Sequence, residues 1–434
     1  MEQKLTQNLW ERFGFADNPF DTRALSLSSN STLPVEEAFV GRGQKSPEWT
    51  LMTNFFRNPG GGRIIVEGNV GVGKTTFVNY HRHRWQTHAK PALLTPASEI
   101  SVQSDWGARE FMLSVMAALA GRIGLTMDAK DRQRDPLLIE VNALTGVLVT
   151  EAFGVSGGLQ VLGTGVSGGR TRSTSIQKGE ITPEAMRGYI GKLMDRVMNL
   201  KYAGAVLHLD NLELLARNNP ARLARFFDDI RDCLQTPQIY FVFVGYMGMF
   251  QEVIVPIERV RSIFFGHPVS LPPLSREEVH LAIKKRYEIL ATGKARKWIA
   301  PVDDALVDYL YDIFAGKIRF IMDEITTLVA KLPDAVTSTL ETDAAKEMLS
   351  QLTKEKVRSF LSETEQQVLF EAIRQKRFTN SSLGEATGKS KQNITKYINQ
   401  FTKYNLVILA ERKGRSTWYE IAPDLALMQM DSIR

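Results

Sequence analysis

Gly68-Asn69-Val70-Gly71-Val72-Gly73-Lys74-Thr75 sets three glycines, a lysine and a hydroxyl in the spacing GxxxxGK[ST]. The chemistry is phosphate binding: phosphate oxygens are met at close range by backbone N–H groups, and glycine clears the side chains that would block them. Lys74 can neutralise β- and γ-phosphate charge, and the Thr75 hydroxyl is placed to ligate Mg²⁺. Thr76, one step further on, either packs or contacts the α-phosphate region.

Such a loop needs a strand before it and a helix after it. Arg63 to Glu67 is a β-rich run, and TFVNYHRHRW from Thr76 reads as helical. The helix start adds free N–H groups and the positive end of its dipole. A second run, Ala203 to Asp210, puts Asp210 at the carboxyl end of a buried parallel strand, where open α/β sheets bind ligands. Asp210 is therefore the expected Mg²⁺ partner, directly or through water; the alternative is a helix N-cap. Next comes Asn211, which can orient water but cannot take its proton. The following acid, Glu213, either reaches in as the base or is a solvated helix residue. One helix, Pro220 to Leu234, leads to a third buried strand, Gln238 to Tyr246.

In this order the pieces resemble the AAA+ ATPases, and within them the archaeal and eukaryotic origin-recognition branch with its bacterial mobile-element and defence relatives. The resemblance runs from about Phe15 to the C-terminus, around an atypical insertion at about 145–181. It implies an ATP and Mg²⁺ site in which Asn18-Pro19-Phe20 and Phe39-Val40-Gly41-Arg42 belong to the lead-in that lines the adenine pocket. Many members carry Glu directly after the strand-end Asp and a polar residue at the end of the third strand. Asn211 and Gly245-Tyr246 depart from these patterns, and with Asn211 hydrolysis is expected to be slow unless Glu213 or another acid reaches in. Glu258-Arg259-Val260-Arg261-Ser262 resembles the stretch that presents an arginine to a neighbouring subunit's γ-phosphate, with Arg259 the first choice and Arg261 the second. Otherwise both are ordinary surface or salt-bridging arginines. Ser275 and Glu278 form a capping box at the start of a helical lid. Within the lid, Gly316-Lys317-Ile318-Arg319-Phe320 resembles the second sensor, so Arg319 either contacts nucleotide and makes the lid angle depend on ATP or lies on a helix surface.

After Thr353 the pattern changes to three short helices and a hairpin. Thr364 to Arg374 carries an apolar stripe, Ser382 to Thr387 ends at Gly388, and Ser390 caps a helix whose Ile394, Ile398 and Phe401 must face a core. Lys391, Gln392, Thr395, Lys396 and Asn399 are left on the other face, with types that contact phosphates and base edges in a major groove. Two strands, Leu406 to Ala410 and Ser416 to Ile421, flank a tip containing Arg412, Lys413 and Arg415. A basic hairpin beside a helix-turn-helix is a winged helix.

The fold expected is α/β: an AAA+ parallel-sheet core (1–274), a helical lid (275–352) and a winged-helix domain (353–434). Length suits several domains: 434 residues exceed one compact core. Charge is localised, because residues 353–434 hold 14 Lys/Arg against 9 Asp/Glu, five of the chain's six net positive charges. That favours double-stranded DNA as partner. The single cysteine, Cys233, excludes an intrachain disulfide, and six scattered histidines leave no zinc spacing. No apolar run reaches the roughly 18 residues of a membrane span, and the polar start lacks a signal region, so a cytoplasmic protein is expected. Phe153 to Ser173, rich in glycine, fits two strands or a hairpin, serving as a surface insertion or a subunit contact.

Together these features point to an ATP-binding factor whose nucleotide state controls self-association, as ring or filament, and DNA binding, in the manner of an initiator, loader or transposition regulator. Two alternatives remain: a signal-transducing switch in phage defence whose winged helix docks an effector, nuclease or transposase, and an ATP-sensing transcription regulator.

Overall fold

The computed structural model describes residues 8–28, 31–43, 46–146, 181–216, 220–293, 297–413 and 416–428. The glycine-rich segment Phe153 to Ser173 and Arg415 lie outside the described residues. Two compact units result, Arg23–Pro273 and Met1–Thr22 with Leu274–Arg434.

Apolar runs of strand length build a parallel sheet in the first unit. Its strands are β1 (Gly62–Glu67), β2 (Leu93–Leu94), β3 (Ile100–Ser101), β4 (Gly204–Asp210), β5 (Ile239–Gly245) and β6 (Val269–Ser270). The order is β2-β4-β5-β1-β6, and β3 also pairs with β4. β2 and β3 share one side of β4: Leu93 meets Gly204 at its start and Ser101 meets Asp210 at its end. Numbering helices of eight or more residues, the unit contains α1 (Pro47–Arg57), α2 (Lys74–Thr87), α3 (Ala108–Leu125), α4 (Pro136–Thr145), α5 (Pro183–Asn199) and α6 (Pro220–Asp229). Ser46 and Thr182 cap α1 and α5, each followed by proline at the first helical position. Successive residues of β5 bury on opposite faces, Tyr240 against Phe55 and Phe56 of α1 and Phe241 against Phe111 of α3. Helices on both faces explain why every residue of β5 is buried.

This order places the site. β5 lies between β1 and β4, so the ends of those two strands stand two strand spacings apart, about 9–10 Å. The expected helix Pro220 to Leu234 is divided: α6 stops at Asp229 and Arg231–Leu234 makes a separate turn, with Ile230 at φ −88°, ψ −3° between them. Ile230 and Leu234, four residues apart, lie on one face and both bury completely, and the Leu234 N–H still donates to the Ile230 carbonyl at 3.0 Å.

The second unit is helical at first: α7 (Arg276–Leu290), α8 (Asp304–Phe314), α9 (Ile318–Lys331) and α10 (Thr342–Phe360). The Ser275–Glu278 capping box opens α7. Residues 15–21 pack here. Arg286 of α7, buried, donates to the carbonyls of Pro19 (3.2 Å) and Asp21 (2.6 Å), and Phe15 and Phe20 lie against Tyr287.

α11 (Glu363–Gln375), α12 (Asn380–Thr387) and α13 (Lys391–Lys403) follow, with β7 (Arg377–Thr379), β8 (Val407–Lys413) and β9 (Ser416–Ile421) in the antiparallel order β7-β9-β8. Ile394, Ile398 and Phe401 sit in one core with Val368, Leu369 and Phe378. This is the winged-helix arrangement. Its first strand, β7, is three residues long, too short to show a period in the sequence.

Glu324 on α9 gives this unit a pH dependence. Burial, then Asp424 and Asp323, push its carboxyl up to about 7, and Lys356, ion-paired to Asp424 at 2.8 Å, opposes them. The folded form therefore holds a proton that the unfolded chain releases at about 4.5. Stability from this group is fully present below pH 4.5 and is lost as pH rises through 7. Chemical denaturation at pH 5 and pH 8 is expected to show the loss, on the order of 2 kcal/mol, and Glu324→Gln is expected to flatten it. An unchanged slope in that variant removes Glu324 as the cause.

Candidate functional site

The loop between β1 and α2 is built as its residue types require. Gly73, at φ +90°, occupies the N-cap of α2, a conformation that side chains resist. A Cβ at Gly68 would come within 2.9 Å of the Leu271 carbonyl. Arg42 donates to the carbonyls of Val72, at 2.5 Å, and of Pro272, tying the loop to the end of β6. Glu67, buried at the last position of β1, accepts the Phe250 N–H (3.2 Å) and the Ser270 hydroxyl (2.9 Å). The ends of β1 and β6 and the helical turn that follows β5 are thereby held together beneath the loop.

Thr75 and Asp210 meet across the gap: Thr75 Oγ1 donates to Asp210 Oδ2 at 2.6 Å. Lys74 Nζ donates to the carbonyls of Gly68 (2.9 Å) and Asn69 (3.1 Å), which keeps the ammonium at the loop mouth. A hydroxyl and a carboxylate are hard oxygen donors suited to Mg²⁺, which keeps several waters and takes few protein ligands. The donor set fits that ion. Thr76 has another task in the described structure, accepting the Leu25 N–H at 3.3 Å.

Asn211 is left-handed, φ +65°, and its Nδ2 donates to Ser101 Oγ at 2.9 Å while its own N–H goes to Asp210 Oδ1 at 2.8 Å. This accounts for the residue type, since Asn tolerates that conformation and Glu resists it. Glu213 begins the short turn Glu213–Ala216, and its Oε2 is buried without a hydrogen-bond partner among the described residues. The half-buried Glu213 side chain leaves open both readings, base or helix residue, and its replacement decides between them. Glu213→Gln is expected to slow single-turnover ATP cleavage about 100-fold, whereas Asn211→Glu is expected to cost about 1–2 kcal/mol of stability without raising the rate. Unchanged cleavage in Glu213→Gln dismisses this acid.

Other sequence candidates are placed as follows. Arg259 is exposed and pairs in two-pronged fashion with Asp228 of α6, whose carboxylate raises the guanidinium's proton affinity through that bond. Arg261, one turn-face away, is exposed and makes no ion pair among the described residues. Arg319 is exposed in the first turn of α9. Asn18-Pro19-Phe20 belongs to the helical unit, while Phe39 stacks on Tyr80 of α2 at 4.1 Å. Cys233 is buried, and burial pushes its thiol up to about 12, far from a nucleophile's range.

On α13, Lys391, Gln392, Thr395, Lys396 and Asn399 are all exposed, opposite the buried Ile394, Ile398 and Phe401. Thr395 Oγ1 is engaged, accepting from Asn380 Nδ2 and donating to the Lys391 carbonyl, both at 2.8 Å. The backbone of Arg412 and Lys413 pairs with Thr417 and Ser416 near the tip of the hairpin.

Sequence reasoning overlooked a buried polar group under the site. Arg82 of α2 is 0% exposed and His208 of β4 is 1% exposed, with Asn79 and Thr95 beside them. Burial, then the Arg82 charge, holds the His208 imidazole well below the usual histidine range, so it is neutral. One signal was available: a histidine inside the otherwise apolar run Ala205-Val206-Leu207-His208-Leu209.

No protein-family model matches the chain, and no curated protein sequence matches it. Among solved structures, the ORC2 protein of Aeropyrum pernix, seen in ADPNP and ADP complexes, aligns over 95% of this chain and 96% of its own at a TM-score of 0.50 and 14% identity. The chain shares that fold. ORC1 of Aeropyrum pernix, in complex with DNA, aligns over 92% and 95% at a TM-score of 0.41, and Cdc6p of Pyrobaculum aerophilum over 93% and 98% at 0.40, both 14% identical. The likeness to ORC2 is one of fold, and the parallel-sheet core and the winged helix are both present in this chain.

Proposed function

We propose that the chain is an ATP-binding AAA+ protein whose nucleotide state governs self-association and double-stranded DNA binding through its winged helix. The observation that carries this reading is the 2.6 Å contact of Thr75 with Asp210 at the carboxyl ends of a parallel sheet, next to a glycine loop carrying Lys74. Lys74 and the N–H groups of the loop bind and orient the phosphates. Thr75 and Asp210 hold Mg²⁺, which when bound offsets phosphate charge. Asn211 in its left-handed turn favours a nucleotide switch over a fast hydrolase. Arg261 replaces Arg259 as the first choice for a neighbour's phosphate, because Arg259 must first give up Asp228. Support for DNA comes from the exposed polar face of α13 and the charge of residues 353–434.

Light scattering of the full chain with Mg²⁺ and ADPNP, with and without a duplex, tests the coupling. Larger particles with nucleotide, and tighter duplex binding by them, are expected. A single mass under all conditions overturns it. A second reading, a signalling switch whose winged helix docks a protein, draws on the exposed Ile408 (44%) and Leu409 (49%) of β8. Duplex binding that vanishes with salt separates the first reading from the second.

A further inference from the structure

Beneath the Thr75–Asp210 contact lies a polar column that phosphate binding leaves unused. The Arg82 guanidinium has no carboxylate among its hydrogen-bond partners: Nε donates to Thr95 Oγ1 (2.8 Å), and its other nitrogens donate to Asn79 Oδ1 (2.8 Å) and to the carbonyls of Pro96 and Ser98. His208 Nδ1 stands 3.4 Å from Arg82 Nη1 and 3.3 Å from Asn79 Oδ1. Arginine only donates, and Asn79 Oδ1 already takes one of its protons while Asn79 Nδ2 is committed to the Leu25 carbonyl at 3.0 Å. A proton on Nδ1 would aim N–H at a cation and leave a lone pair on Nε2 facing a carboxylate. The Arg82 charge beside Nδ1 and the Asp210 carboxylate facing Nε2 both favour the proton on Nε2.

That Nε2 is buried and has no hydrogen-bond partner among the described residues. Asp210 Oδ2, the oxygen that accepts from Thr75, is 4.0 Å away. We propose that His208 is a positioning residue for the Mg²⁺ site: its Nε2–H, set by Arg82, is the donor that would hold Asp210 Oδ2 where that carboxylate would serve the ion. A buried N–H without an acceptor is costly, and a movement of about 1 Å brings the pair to hydrogen-bond distance. Ion binding and satisfaction of the donor thus favour the same carboxylate position. The inference rests on the nucleotide reading of Lys74, Thr75 and Asp210.

Calorimetry of ADPNP binding to the full chain, in Mg²⁺ and in EDTA, tests it. Wild type is expected to bind more tightly with Mg²⁺. His208→Asn, which has no donor at the Nε2 position, is expected to lose about 10-fold or more of the Mg²⁺ affinity, the usual effect of removing an outer partner, with EDTA affinity unchanged. His208→Gln, whose amide can reach that position, is expected to keep most of it. Nitrogen-15 spectra of the wild-type imidazole are expected to show the proton on Nε2, a readout that needs no variant. A full Mg²⁺ gain in His208→Asn, an equal fall in Mg²⁺ and EDTA, or a proton on Nδ1 overturns the proposal while the nucleotide reading stands. Wild-type binding indifferent to Mg²⁺, or Lys74→Ala binding as wild type does, overturns both.

Discussion

Lys74→Ala is expected to weaken ADPNP binding about 10- to 100-fold and to abolish nucleotide-dependent self-association. Lys74 is the one cation in the sequence of the loop, and its ammonium donates to the carbonyls of Gly68 and Asn69 at the loop mouth. A charge-assisted bond to phosphate contributes about 1.5–3 kcal/mol, and each 1.4 kcal/mol is tenfold in affinity. The fold is expected to survive, because Lys74 is half-buried at a helix start and outside the sheet's core. Calorimetry reads the affinity, and light scattering with Mg²⁺ and ADPNP reads the mass. A variant that assembles at wild-type nucleotide concentrations removes the phosphate site from control of assembly. If affinity falls but assembly persists, nucleotide binding is real and the switch is elsewhere.

How much of this was legible in the sequence depends on the range of the forces. The loop, β1 and α2 are contiguous, so glycine spacing and strand character declare them together. Asp210 was legible because a strand end is a local feature. What it touches was not: Thr75 lies 135 residues away, and only the sheet order brings the pair within 2.6 Å. Asn211 shows the limit well. As a letter it is a missing glutamate, but its left-handed backbone and its bond to Ser101, from a strand 110 residues earlier, make it a conformational choice. Which acid Arg259 pairs with was not legible either, because Asp228 lies on α6, 31 residues earlier. Short elements hid for a different reason: β7 and the turn Arg231–Leu234 hold too few residues to show a period. Arg82 and His208 were hardest, since burial of polar side chains is decided by packing across α2, β4 and the segment after β2.

Duplex affinity is expected to fall with salt at a log–log slope of about −4.5, if Lys391, Lys396, Arg412, Lys413 and Arg415 each meet one phosphate at about −0.9 per contact. The slope separates two kinds of residue on α13. Lys391→Ala with Lys396→Ala removes two exposed cations and is expected to lower the slope by about 2, weakening all sequences alike. Gln392 and Asn399 carry no charge, so their replacement by Ala leaves the slope alone. It is expected to cost about 1–3 kcal/mol at the preferred site only, as the loss of base-edge contacts does. Thr395 is expected to contribute less than its position suggests, because its hydroxyl is already engaged with Asn380 and the Lys391 carbonyl. Fluorescence anisotropy on one duplex at several salt concentrations supplies the slope, and a second, unrelated duplex supplies the selectivity. A slope near zero transfers α13 to a protein partner. A steep slope that ignores Lys391 and Lys396 moves the contact to the hairpin tip, where Arg412, Lys413 and Arg415 supply the remaining charge.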